Sequence, residues 1–380
     1  MKAIIIGGGI GGLCAGIALQ LAGIEVTVYE AAPELKPVGA GVGLAANAMQ
    51  GLQRLGVAEA VIAHGEQLEA LVIFDENRSV ISNFNTLPLS DRYGVNNFVI
   101  HRAALHNVLH GYLPKGTVEL NKRCTGIKQV HDQVEVRFSD DTCALADLVV
   151  GADGINSVIR QQLFPQSKPR YAGYTCWRGV VENPGVSIDT KISAEMWAPQ
   201  GRVGMAPLPH NTIYWYACMN AKPNDPAMRD TTPEQLAAHF SNVYEPVATV
   251  LAATKPEQMI WNDIADLEPL KQFAFGKVVL LGDAAHATTP NMGQGACQAI
   301  EDAVVLKQCL QQEPSIAAAL RQYEKRRLAR TAKVVRMSRL LGAVSQWQNP
   351  LLIGLRNTAF RLTPDFITQK QMEALYQVDF

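Results

Sequence analysis

The stretch Ala3-Ile4-Ile5-Ile6-Gly7-Gly8-Gly9-Ile10-Gly11-Gly12, running on into Leu13 to Leu21, decides the fold of this chain. Four apolar residues without a polar interruption read as a buried parallel strand. Leu13 to Leu21 has helical spacing and is followed by Gly23, and Glu25-Val26-Thr27-Val28-Tyr29 reads as a second strand ending at Glu30. Gly7, Gly9 and Gly12 therefore satisfy G-x-G-x-x-G between a strand and a helix, with an acidic residue 18 positions after the last glycine. Gly7 permits the tight turn, Gly9 lets a pyrophosphate approach the backbone, and Gly12 lets the helix pack close to the strand. The helix start adds free N–H groups and a partial positive charge. Glu30 stands where it can accept the hydroxyl protons of an adenosine ribose. The unit predicts a bound dinucleotide and, by itself, does not choose between NAD and FAD.

Ala3 to Ile24 carries no charge, so a hydropathy scan would offer a membrane span or a secretory signal. The glycines at 7, 8, 9, 11, 12, 16 and 23 favour strand, turn and helix instead. The 380 residues, 48% hydrophobic and 18% charged, suit a globular enzyme of one large or two modest domains. Lys+Arg 34 against Asp+Glu 35 gives a net charge of -1, which argues against nucleic acid as a partner. The basic run from Lys325 to Arg330 reads as the solvated face of a helix. Seven scattered cysteines without a CxxC pair predict neither a disulfide framework nor a metal site, and so a cytoplasmic protein.

Three further segments stand at telling places: His101-Arg102-Ala103-Ala104-Leu105; Asp147-Leu148-Val149-Val150-Gly151-Ala152-Asp153-Gly154; and Val278 to His286 followed by Thr289-Pro290-Asn291-Met292-Gly293-Gln294-Gly295. With the fingerprint, this set in this order resembles the class A flavoprotein monooxygenases of the para-hydroxybenzoate hydroxylase type. The resemblance spans roughly residues 2 to 345 and is nearest to the salicylate, 3-hydroxybenzoate, urate and alkylquinolone hydroxylases. It implies FAD as cofactor, with Asp283 on the ribityl hydroxyls and Arg102 on the pyrophosphate. The Gly293-Gln294-Gly295 turn would then lie at the pyrimidine edge of the isoalloxazine. Gly11, Ala31, Gly43 and Cys124 complete the expected cofactor contacts. Asp153 matches a motif tied to both FAD and nicotinamide nucleotide binding, and equally reads as a turn that braces the fold. No second G-x-G-x-x-G follows a strand, since Gly39-Ala40-Gly41-Val42-Gly43 has the wrong spacing. NADH or NADPH is thus expected as a transient co-substrate.

The expected fold class is α/β: a Rossmann-like FAD-binding domain, an inserted mainly antiparallel β-sheet substrate domain, and C-terminal helices. The expected boundaries are 1–66, 101–165 and 266–335 for the FAD domain, 67–100 and 166–265 for the substrate domain, and 336–380 for the helical end. Strand alternation in Ile213-Tyr214-Trp215-Tyr216 puts Tyr214 and Tyr216 on one face and Trp215 on the other, while Arg202, Gly204 and Ala206 share a face of the preceding strand. Arg202 and Tyr214 match an Arg and a Tyr of the urate- and quinolone-type relatives. Arg202, Tyr214, Tyr216, Trp177 and Pro290 are the expected substrate contacts, and Tyr214 and His210 the expected proton-handling residues. His286 reads as structural. Asn291 departs from the urate-type pattern, which has Asp there, and this moves the expectation toward benzoate- or quinolone-like substrates. The segment 346–362 reads as an amphipathic basic helix: a docking helix, a lid, a dimer face or a membrane-surface contact, on a monomer or homodimer. The resemblance implies hydroxylation of an aromatic or heteroaromatic substrate by O₂ through a flavin C4a-hydroperoxide. A reductase or saturase of the geranylgeranyl reductase kind, and a non-catalytic flavin-binding protein, are the competing readings.

Overall fold

The computed structural model describes residues 1–35, 39–243 and 245–380. Lys2–Ile6 forms the centre of a six-stranded sheet, with Glu25–Tyr29 and Val118–Glu119 on one side and Leu148–Gly151, Val278–Leu280 and Ala274–Phe275 on the other. Every neighbouring pair is parallel except the last, which is antiparallel. Helix Ile10–Leu21 lies against helix Gly295–Gln312. Gly11 makes that approach possible, because a Cβ there would stand 2.9 Å from a Leu281 methyl and 3.2 Å from Ala299. The uncharged stretch from Ala3 is thus strand, turn and helix, as its glycines predict. Among the described residues no helix is long and apolar enough to cross a membrane.

A second, seven-stranded sheet runs in the order Ile260–Asp266, Arg170–Glu182, Thr212–Asn220, Gly201–Leu208, Ile192–Ala198, Ala70–Asp75, Val80–Asn85. It is antiparallel except where Ile192–Ala198 meets Ala70–Asp75. Alternation gives it two unlike faces. One carries Trp177, Val203, Met205, Ile213 and Trp215, packed under helices Pro233–His239 and Glu245–Ala252. The other is set by register into polar rows across the strands: Trp197, Arg202, Cys218 and Cys176 in one, and Glu195, Gly204, Tyr216 and Arg178 in the next. A three-stranded sheet of Gly41–Leu44, Asn97–His101 and Gly65–Leu68 lies beside this polar face, and another of Cys124–Val130, Gln133–Phe138 and Cys143–Ala146 flanks the first sheet.

Helix Ile316–Ser345, 30 residues long, fastens the two large sheets together. Its Arg339 pairs with Asp266 at 2.8 Å, and its Ser338 carbonyl accepts from the Asn291 amide at 2.8 Å. Here the sequence reading needs correction. Arg327 is 2% exposed, and it bonds Asp302 and Glu301 at 2.5 Å each, while Arg330 reaches Glu301 at 2.6 Å. The basic run is therefore divided, with Lys325 in solvent and Arg327 inside the molecule. The basic character read into residues 346–362 also changes. Arg356 is buried against Trp197, and Arg361, still exposed, pairs with Asp75, so the exposed side of helix Pro350–Arg361 is mainly apolar, with Leu351 84% and Leu355 65% exposed.

Candidate active site

The glycine turn has the geometry its spacing predicts. Gly7 adopts φ 107°, and a Cβ on it would stand 2.3 Å from the Ala152 carbonyl oxygen. A Cβ on Gly12 would lie 1.9 Å from the Gly7 oxygen, so the helix start and the turn touch backbone to backbone. Gly9, by contrast, faces open space, as a backbone that admits a pyrophosphate must. Glu30 accepts the Gly8 N–H at 2.7 Å on one oxygen and the Ala32 N–H at 2.8 Å on the other. Each oxygen keeps a lone pair for a ribose hydroxyl. Ala31 is half-buried beside it. His106, which nothing in the sequence singled out, bonds the Gly8 carbonyl at 2.6 Å and ties the next helix to this turn.

Around the same cleft stand groups without protein partners. Arg102 opens helix Arg102–Gly111, with its stem across Gly39, where a Cβ would come within 2.9 Å. Its guanidinium has no hydrogen bond or ion pair among the described residues. Burial and the nearby Arg178 lower its pKa, and Asp283 pulls the other way. Asp283 is solvent-accessible, yet burial raises its carboxyl pKa against the opposing charges of His286 and Arg102. Those two properties together describe a side chain on the wall of a deep, open cleft. Gly43 and Gly293 face open space there, and Gly295 is clear to 3.9 Å.

Asp153 fulfils its structural reading with one oxygen. That oxygen accepts the Val158 N–H at 2.8 Å, while the other is buried without a hydrogen-bond partner among the described residues. Burial raises the pKa of this carboxyl and pushes the neighbouring Cys124 thiol up to about 11. Buried Arg160 binds the carbonyls of Gly154 and Ala284, linking the Asp153 turn to the Asp283 turn. Gln294 is buried and accepts from Asn47 and Gln298 at 3.0 Å each, so it offers the cleft backbone only. Behind it Asp302 receives the Gly282 N–H at 2.9 Å and His286 at 2.6 Å, which makes His286 structural. An orphaned carboxylate oxygen, an unpaired guanidinium and a run of bare glycine backbone fit FAD.

The polar face of the seven-stranded sheet closes over this cleft. Tyr214 rests on Gly41, where a Cβ would be 2.4 Å from its ring, and its hydroxyl has no partner among the described residues. Tyr216, 5.9 Å from it ring to ring, lies across Gly204 and donates to Glu195 at 2.8 Å. Arg202, 3% exposed, pairs with Glu195 at 3.1 Å, bonds the Asn291 side-chain oxygen, and stacks over the Tyr174 ring. The Asn291 oxygen also accepts from the Tyr174 hydroxyl at 3.0 Å, and its NH₂ donates to Thr289 and the Ser338 carbonyl at 2.8 Å each. A carboxylate could not make the last two bonds, which accounts for an amide at this position. Two expected site residues lie elsewhere. Trp177 is fully buried on the opposite face, bonding the Met228 carbonyl, and His210 is exposed at φ 63° in the hairpin turn. Pro290 is exposed next to Asn291. Glu195 and Arg178 were missed, since only register brings them beside Tyr216.

Comparison with known proteins agrees with this geometry. Residues 1–338 match the family described as FAD binding domain. The chain is 38% identical over 363 residues to aurachin C monooxygenase/isomerase of Stigmatella aurantiaca, covering 95% of this chain and 94% of that protein. It is 32% identical to the 2-heptyl-3-hydroxy-4(1H)-quinolone synthase of Pseudomonas aeruginosa over 381 residues, covering 99% and 98%. Among solved structures, Klebsiella pneumoniae HpxO complexed with FAD and uric acid superposes with a TM-score of 0.91 at 32% identity, covering 99% of this chain and 97% of that one.

Proposed function

This chain belongs to the FAD-binding family that those matches define, and from that premise we propose that it is an FAD-dependent, NAD(P)H-consuming monooxygenase that hydroxylates a small aromatic or heteroaromatic ring. The observation that carries the reading is the contact of Tyr214 with Gly41, which sets an aromatic sheet face directly on the glycine-lined cleft. When bound, FAD supplies the redox chemistry, taking a hydride from the nicotinamide and activating O₂.

The residues hold, orient and exclude. Glu30 takes the adenosine ribose, Gly9 and Arg102 the pyrophosphate, Asp283 the ribityl chain, and the backbone from Gly293 to Gly295 the pyrimidine edge. The orphaned Asp153 oxygen would accept a hydrogen bond from a hydroxyl of the same ligand. Tyr214 presents its free hydroxyl to the substrate as a hydrogen-bond donor. Burial raises the pKa of this phenol, assisted by Cys176, so it carries its proton at neutral pH. Tyr216 and Tyr174 supply apolar ring surface and keep water from the reacting atoms. The saturated amide of Asn291 removes the carboxylate of the urate-type pattern, which favours a quinolone- or benzoate-like ring. All seven cysteines are free, the state a reducing cytoplasm maintains. The apolar row Leu351, Leu355 and Leu362 supports a surface contact of residues 346–362, with a membrane or with a second copy of the chain.

Turnover with isotopically labelled dioxygen tests the reaction class. One labelled oxygen atom in the hydroxylated ring is expected, and label found solely in water or hydrogen peroxide contradicts it.

A further inference from the structure

Two arginines share the polar sheet face with Tyr214 and Tyr216, and only one of them is balanced. Arg178 pairs in register with Tyr216, and Val180 with Tyr214, so Arg178 stands one diagonal step from Tyr214, about 7–8 Å by ordinary sheet spacing. Arg202 is farther away. It pairs with Cys218, whereas Tyr214 pairs with Ala206, four residues along the same strand, a run of roughly 13 Å. Arg202 also has its counter-charge in Glu195.

Arg178 has no acidic partner among the described residues. Its guanidinium donates to the side-chain oxygen of Asn262, a neutral group, at 2.8 Å, and its other N–H groups are unengaged. The acids around it are distant or held. Glu195 lies three strands away along the shared row, roughly 14 Å, and Glu182 sits four residues further on at the exposed strand end. Asp75 is paired with Arg361, and Asp266 with Arg170 and Arg339. Across the cleft, Asp283 acts on Arg102 and His286. The field of Arg178 is felt in the cleft: burial raises the Tyr214 phenol pKa and Arg178 opposes it, while burial lowers the Arg102 pKa and Arg178 adds to that. The free polar groups of this wall, the Arg178 guanidinium and the Tyr214 hydroxyl, therefore offer hydrogen-bond donors and a positive charge. A carboxylate is acceptor-only and negative, and its two oxygens match the guanidinium fork.

We propose that Arg178 is a specificity-determining residue that anchors a carboxylate of the aromatic substrate, with the Tyr214 hydroxyl as the neighbouring donor. This rests on the reading that the Tyr214 face receives the substrate, and it goes beyond that reading by assigning the charge of the ligand and the residue that reads it. Two probes of equal shape isolate charge: 3-hydroxybenzoate and 3-hydroxybenzamide, titrated into the FAD-loaded protein and read by the change in flavin absorbance. The wild type binds the benzoate more tightly by about tenfold, the difference between a charge-assisted hydrogen bond and a neutral one. Arg178→Gln keeps a donor and removes the charge, so benzoate affinity drops to that of the amide while amide affinity holds. Arg178→Lys keeps the charge and the wild-type order. FAD content and melting temperature confirm that each variant is folded. A wild type that binds the amide as tightly as the benzoate, or binds neither, overturns the proposal. Equal weakening of both ligands in Arg178→Gln overturns it too, because that is what a purely structural arginine gives. An unchanged ligand order in that variant, with weaker FAD binding or a higher KM for the nicotinamide nucleotide, overturns it in favour of a cofactor phosphate. Turnover separates this from the reaction class. A hydroxylase that ranks the amide first sinks the carboxylate assignment alone, whereas the predicted binding order without product sinks the hydroxylase reading alone.

Discussion

Arg102, exposed, and Tyr214, half-buried, each turn to the cleft a polar end that is unpaired among the described residues. Charge-assisted hydrogen bonds contribute about 1.5–3 kcal/mol, so Arg102→Ala should weaken FAD binding roughly ten- to a hundredfold. Titration of the apoprotein with FAD measures it, and an unchanged affinity would show that the guanidinium does not hold the pyrophosphate. Tyr214→Phe removes a donor and leaves the ring on Gly41. Its kcat/KM should fall by about tenfold, the size of one hydrogen bond to the substrate, while FAD affinity stays as it was. Because the phenol pKa is raised, the loss should be the same at every pH across the neutral range. A loss confined to high pH would make Tyr214 an ionising base instead.

At the scale of elements, the Asp283 turn is held by the pairing of helix Gly295–Gln312 with helix Ile316–Ser345, through Glu301, Asp302, Arg327 and Arg330. Burial opposes ionisation of both carboxyls, but their cationic partners outweigh it and hold both pKa values below the ordinary range. A carboxyl depressed in this way stabilises the fold above its unfolded value, about pH 4, and the contribution disappears as pH falls through the folded value. Arg327→Met should cost about 3–5 kcal/mol at neutral pH and move acid unfolding to higher pH; urea melts over a pH series read both effects. The helix periodicity held a clue to this network, since Arg327 falls four residues after buried Tyr323 and four before buried Thr331. The βαβ unit was legible because its glycines act on neighbours close in sequence. Which face of a strand meets the cofactor was not, because parity is fixed only once strands pair. Trp177 and Arg178 are adjacent in sequence and lie on opposite faces, and the tryptophan drew the reading to the wrong one of the two. Glu195 was invisible for the same reason.

For the molecule as a whole, the two large sheets and the long helix between them make a cleft with two chemically distinct walls. One is glycine backbone with isolated charges, and the other is aromatic, with its Arg202 paired to Glu195. The first suits a large anionic cofactor and the second a small flat substrate. The family resemblance made the general layout legible in the sequence, because its motifs mark where the cofactor wall is built. The substrate wall was only outlined, since its chemistry arises from contacts among strands far apart in the chain. The central claim, that a visiting nicotinamide and O₂ act on an aromatic ring at this junction, is tested most directly by rapid mixing of the FAD-loaded protein with NADH or NADPH, then with O₂, with and without hydroxybenzoates and alkylquinolones. The account predicts that one such compound accelerates flavin reduction and that reoxidation then yields one hydroxylated product per O₂ consumed. Ligand-stimulated NAD(P)H oxidation that continues without oxygen while an alkene is reduced would contradict it.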